Sequence, residues 1–185
     1  MKPVDRSEIL DYVTYSERRD AIRPGVLAAK GARRIIVGDG TLTFLFENHD
    51  TVRYQVQEMM RTERLVKEAD IAHELHTYNE LLGGDGELGC TLLIGIGTEQ
   101  ERNEKLTAWV GMSENLYVVA GGERIRATFD PRQVGDTRLS AVQYLKFAVG
   151  GLTPTAIGCD HPALTVEQAL SPAEQEALAA DLATP

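Results

Sequence analysis

The stretch Thr41–Arg64, TLTFLFENHDTVRYQVQEMMRTER, constrains this chain more than any other. A hydrophobic strand pattern runs straight into an amphipathic run. That run carries Arg53, Gln57, Arg61 and Arg64 in steps of four, four and three. On a helix such steps stack side chains on one face. The second half can be read two ways. Val52, Tyr54 and Val56 alternate with Arg53, Gln55 and Gln57, as in a strand. Val52, Val56, Met59 and Met60 also form a helical stripe that Asn48 or Asp50 could cap. A helix from about 51 to 67 is the preferred reading, because its pattern lasts more turns than a strand would. A strand over 51–57 would remove Arg53 and Gln57 from the stripe.

The rest of the chain supplies both element types. Residues 5–30 read as two helical stretches, broken at Arg23-Pro24 and closed by Gly31. Arg33–Val37 and Thr41–Glu47 form a hairpin through Gly38-Asp39-Gly40. Asp70 caps a helix whose buried face is Ile71, Leu75, Tyr78 and Leu82. The apolar run Cys90–Ile96 is a central strand, and Glu99–Val110 is a helix. Leu116–Ala120 and Arg124–Phe129 pair through Gly121-Gly122, and Ala141–Val149 is a further strand. Ser171 caps a short closing helix with Pro172 at its first position. The expected fold is α+β: a largely antiparallel sheet built from hairpins and packed against helices. At 185 residues one domain is expected, with 170–185 as a peripheral helix. Met59, Met60, Phe44, Phe46 and Leu93 are the expected core.

The formal net charge of −9 is uneven. Residues 1–67 carry 12 basic and 10 acidic side chains, and the remainder carries the whole negative excess. A broad cationic surface is therefore missing, so nucleic-acid binding is not expected. No apolar run approaches a membrane span. The charged start MKPVDRSEILDY lacks the apolar core of a secretory signal. Cys90 and Cys159 stand far apart. Together these features point to a reducing cytoplasm.

The block at 41–64 resembles an uncharacterised bacterial family, a domain of unknown function. Further matches are TYNELL at 77–82 with the following TLLIGI, SAVQYLKF at 140–147, and the closing Asp160-His161-Pro162-Ala163. The likeness spans roughly residues 5–163 and leaves the closing helix outside. The resemblance implies a setting beside rubrerythrin-like and iron–sulfur proteins, hence peroxide defence or electron-transfer housekeeping. It carries over no residue role.

Four groups of residues could carry chemistry. Arg53, Gln57, Arg61 and Arg64, joined by Arg19 and Arg23, could clamp a small anion, because guanidinium presents a planar fork to carboxylate or phosphate. The bland alternative is a solvated face or weak internal pairs. Glu58 or His161 could then act as acid or base. Cys159, Asp160 and His161 bring together a thiol, an acid and an imidazole, although such a segment is more often a turn. His73, His76 and Glu80 share one helical face and suit a metal by type. That face is opposite the apolar one and should meet water. Gly84–Gly89 matches GxGxxG but precedes a strand, where the dinucleotide motif follows one. Gly95-Ile96-Gly97 sits between a strand and a helix but lacks the third glycine. No cofactor is named by any of these patterns.

The leading expectation is an accessory protein that binds a small anion or a protein partner. One alternative is an enzyme acting on a small anionic substrate. The other is a structural homo-oligomer that associates through an exposed apolar surface.

Overall fold

The computed structural model describes residues 1–131, 135 and 137–184. The elements follow the order α1 (Tyr12–Gly31), β1 (Arg34–Val37), β2 (Leu42–Glu47), α2 (His49–Glu63), α3 (Glu68–Asn79), β3 (Leu88–Ile94), α4 (Glu99–Ala108), β4 (Leu116–Ala120), β5 (Glu123–Arg126), β6 (Val142–Phe147), β7 (Pro154–His161), β8 (Leu164–Ala169) and α5 (Pro172–Ala183). Two antiparallel four-stranded sheets are built, in the orders β1-β2-β3-β6 and β5-β4-β7-β8. The fold is α+β.

The strand-to-helix junction forms as its pattern demands. Gly38 and Gly40 take positive φ and turn β1 into β2. Asn48 then stops the strand and starts α2. Its side chain accepts from the Thr51 N–H at 3.0 Å, and the Thr51 hydroxyl accepts from the Asn48 N–H at 2.9 Å. The helical reading of 51–57 holds. Arg64, with φ of 53°, ends the helix in the left-handed region, short of residue 67.

Several expectations need correction. α1 runs unbroken through Pro24. Pro24 and Asp20 are exposed, so water can serve the Asp20 carbonyl that the proline ring leaves without a donor. Asp70 lies inside the first turn of α3, and Lys67 occupies the cap without a side-chain bond. Two strands, β7 and β8, cover the segment expected to be a turn; only Pro162-Ala163 turns.

The main buried cluster lies between the sheets. It joins Phe44, Phe46 and Leu92 of the first to Val118, Ile157 and Cys159 of the second, and adds Leu106 and Leu178 from α4 and α5. A second cluster joins Val52, Val56 and Met60 of α2 to Ile71 and Leu75 of α3, closed by Val4 and Ile9. Phe44, Phe46 and Met60 are core as expected. Met59 is only half-buried, and Leu93 is 36% exposed on the outer face of β3. A continuous apolar run cannot say that one of its two faces lacks a cover.

α5 is anchored more firmly than a peripheral helix. Leu178 is fully buried, and Asp181 receives both Arg33 Nε and an Arg33 terminal nitrogen, at 2.6 and 2.7 Å. Asn48 Nδ2 donates to the same carboxylate at 3.0 Å. One buried ion pair thus ties the end of the chain to the start of β1 and to the cap of α2.

Candidate functional site

The arginine stripe turns inward onto a protein carboxylate. Arg19 donates to both oxygens of Glu58, at 2.7 and 2.9 Å, and the buried Tyr15 hydroxyl donates at 2.6 Å. These bonds, with Arg61 nearby, hold the Glu58 carboxyl down to about 2. Burial and the charged Glu58 raise the Tyr15 phenol. Arg61 comes within 3.7 Å of Glu58, and its Nε is buried without a partner among the described residues. Arg53 pairs with Asp50 at 3.2 Å on the surface. Gln57 leaves the stripe altogether: its amide accepts from the Leu10 N–H and donates to the Leu10 carbonyl, fixing the N-terminal segment. Arg23 and Arg64 are exposed. The six residues do not form one clamp. A carboxylate held near 2 is also a poor acid or base at neutral pH.

His161 closes β7, away from α2. Its Nδ1 accepts from the Ala163 N–H at 3.2 Å across the turn. Cys159 points into the core between the sheets, where burial raises its thiol, so no Cys–His pair is presented to solvent. Asp160 points the other way. It binds Arg126 at 2.6 and 2.7 Å, and the arginine holds it below the usual carboxylate range. Arg124 lies 4.3 Å over the Tyr117 ring and reaches both Asp160 and Glu167. Burial and the Glu167 bond push the Tyr117 phenol up to about 12. These four charges, on β5, β7 and β8, neutralise one another over the second sheet. His76 pairs with Glu80 at 3.3 Å in the open, His73 is exposed, and no group of three metal-type ligands occurs among the described residues.

The concave surface lies elsewhere. A cleft of about 600 Å³ opens between the end of α3, the outer face of β6 and residues 128–130. Tyr78 and Leu81 form one wall; Tyr144 and Lys146 form another; Thr128 and Phe129 close it. Two backbone bonds of 2.8 Å join Thr128 to Lys146 and hold the third wall. The segment that follows α3 can approach so closely because position 89 is glycine: a Cβ there would lie 1.8 Å from the Leu81 carbonyl. The cleft therefore brings together TYNELL and SAVQYLKF, two of the stretches on which the family resemblance rests.

Beside the cleft, the outer face of the first sheet exposes several large apolar side chains. Ile36, Thr43, Leu93 and Val142 stand in one cross-strand row. Ile36 is 51% exposed, Val142 39%, and Tyr144 in the next row 42%. Sequence periodicity placed the strands but not this face, whose exposure depends on where α2 and α3 stop covering the sheet.

No helix among the described residues is long and apolar enough to cross a membrane. No curated protein matches the chain. A crystal structure of a novel protein of unknown function from Burkholderia pseudomallei K96243 is similar to it over 98% of this chain and 100% of that one, with 30% identity and a TM-score of 0.88. The sequence profile described as protein of unknown function (DUF3501) matches residues 3–182, so the likeness extends past 163 and takes in most of α5. The chain belongs to the DUF3501 family.

Proposed function

We propose that this protein is an accessory that docks a partner protein on the outer face of its first sheet. The observation that carries the reading is the exposed group Leu93, Val142 and Tyr144, with Ile36 beyond the buried Thr43 in the same row. Contiguous exposed apolar side chains with a polar rim mark interaction surfaces, and the exposed Arg34 and the half-buried Lys146 border this group. The partner class is the one the family resemblance implies, an iron–sulfur or rubrerythrin-like protein. The catalytic alternative has less support, since Glu58 is locked by Arg19 and Cys159 is buried.

The test is co-purification and size-exclusion of the chain with an iron–sulfur or rubrerythrin-like protein from the same genome. A complex is expected with the wild type and not with Leu93→Glu. That variant should keep the wild-type melting behaviour, because an outward position changes stability by only about 0.5 kcal/mol. Equal binding by Leu93→Glu, or no complex with the wild type, overturns the proposal. Self-association of the wild type that Leu93→Glu abolishes would give the face to a second copy instead.

A further inference from the structure

We infer that the α3–β6 cleft is a binding site for a compact aromatic anion, with the acid group on Lys146 and the ring against Tyr144 and Phe129. This inference rests on the cleft, which shares Tyr144 with the docking face and Lys146 with its border. Its volume, about 600 Å³, falls in the range of small-molecule sites. Its lining combines aromatic surface with a single cation, Lys146, among the described residues.

The lysine is poised for an outside partner. Side chains two apart on a strand share a face, so Lys146 and Tyr144 rise together from β6. The backbone of Lys146 is held on both sides, by β3 and by Thr128. Among the described residues its ammonium meets one carboxylate, Glu87, at 4.0 Å, which is too far for a hydrogen bond. Arg19, Arg33 and Arg126, by contrast, are each saturated by a bidentate protein carboxylate. Tyr78 adds a phenol from the opposite wall.

Two carboxylates also line the cleft. Glu80 is turned to His76 at 3.3 Å on the exposed side, and Asp130 is itself partnered. They oppose a dianion more than a monoanion, which favours a carboxylate over a phosphate. A flat ring fits the Tyr144–Phe129 side because offset stacking tolerates many ring types. The class is therefore an aryl carboxylate or a similar aromatic monoanion.

Benzoate, benzamide and benzylammonium share a ring and differ in charge. Titrations of the purified protein with each, followed by calorimetry and by amide shifts, separate the possibilities. Benzoate should bind tightest, and added salt should weaken it. Lys146→Met should weaken benzoate roughly tenfold or more, to the level of benzamide, and leave benzamide unchanged. Lys146→Arg should retain benzoate, which guards against a folding defect in the methionine variant. Leu93→Glu should leave benzoate binding intact, so failure here is distinct from failure of partner docking. Tightest binding by benzylammonium would assign the cleft to cations through Glu80 and Asp130 and overturn the inference. Absence of binding by all three, or benzoate binding indifferent to Lys146→Met, overturns it too.

Discussion

Glu58 stays charged far into acid because Arg19 grips both of its oxygens and Tyr15 adds a third bond. Its folded value of about 2 lies below the ordinary 4.5. The stability it contributes is therefore complete above the ordinary value. It is lost as pH falls from there towards 2, because the unfolded chain takes up the proton first. Glu58→Gln should thus flatten the stability–pH curve in that window and lower stability at neutral pH. Urea denaturation of both proteins between pH 2 and 7 checks this, and parallel curves would refute it. The same residue explains why the arginine stripe was half legible. The helix was read correctly, and Arg61 does face Glu58, but Gln57 turns to Leu10 instead. Arg19 lies 39 positions away, and no local pattern tells an arginine that waits for a ligand from one already paired.

At the scale of elements, α5 depends on one buried pair. Arg33 and Asp181 are nearly enclosed, and breaking such a pair from one side leaves the other charge uncompensated. Asp181→Ala should cost about 3–5 kcal/mol. Replacing both, as Arg33→Met with Asp181→Leu, should recover most of that loss, since the uncompensated charge disappears. A double-mutant cycle by denaturant titration measures the coupling, and simple additivity would refute it. The closing helix itself was readable from Ser171 and Pro172, but its attachment was not, because the partner comes from the other end of the chain. β7 and β8 escaped for a different reason. In Pro154–His161 a proline, two threonine or glycine positions and an aspartate interrupt the apolar residues, so the alternation seen in β2 is diluted. Their partners Tyr117 and Arg124–Arg126 were legible as a hairpin, while the charge network that joins β5, β7 and β8 was not.

At the scale of the whole molecule, charge and shape divide the surface. The negative excess belongs to residues 68–185, yet the outer face of the first sheet displays apolar side chains beside Arg34 and Lys146. Gly89 shapes that face by letting the segment 81–83 after α3 lie against β3. Gly89→Ala should push the segment 81–83 outward and lower stability by about 1–3 kcal/mol, as overpacking does. It should also remove ligand binding in the cleft, which Lys146→Arg would not. Thermal melts and benzoate titration of the two variants separate these effects; an unchanged Gly89→Ala protein would refute the role of the close approach. The layers and the antiparallel pairing were legible because they follow from periodicity. The cleft was not, since its walls are brought together by a missing side chain.

Arg33 and Asp181 are 148 positions apart. During synthesis the N-terminal half leaves the ribosome long before the residue that neutralises Arg33. Until then the first hairpin and the cap of α2 must wait with an arginine still in water and an asparagine lacking its distant acceptor. Arg33 can be neutralised only once α5 has been made, so a nascent chain stalled before residue 181 should remain open to proteases where the chain that includes α5 is closed.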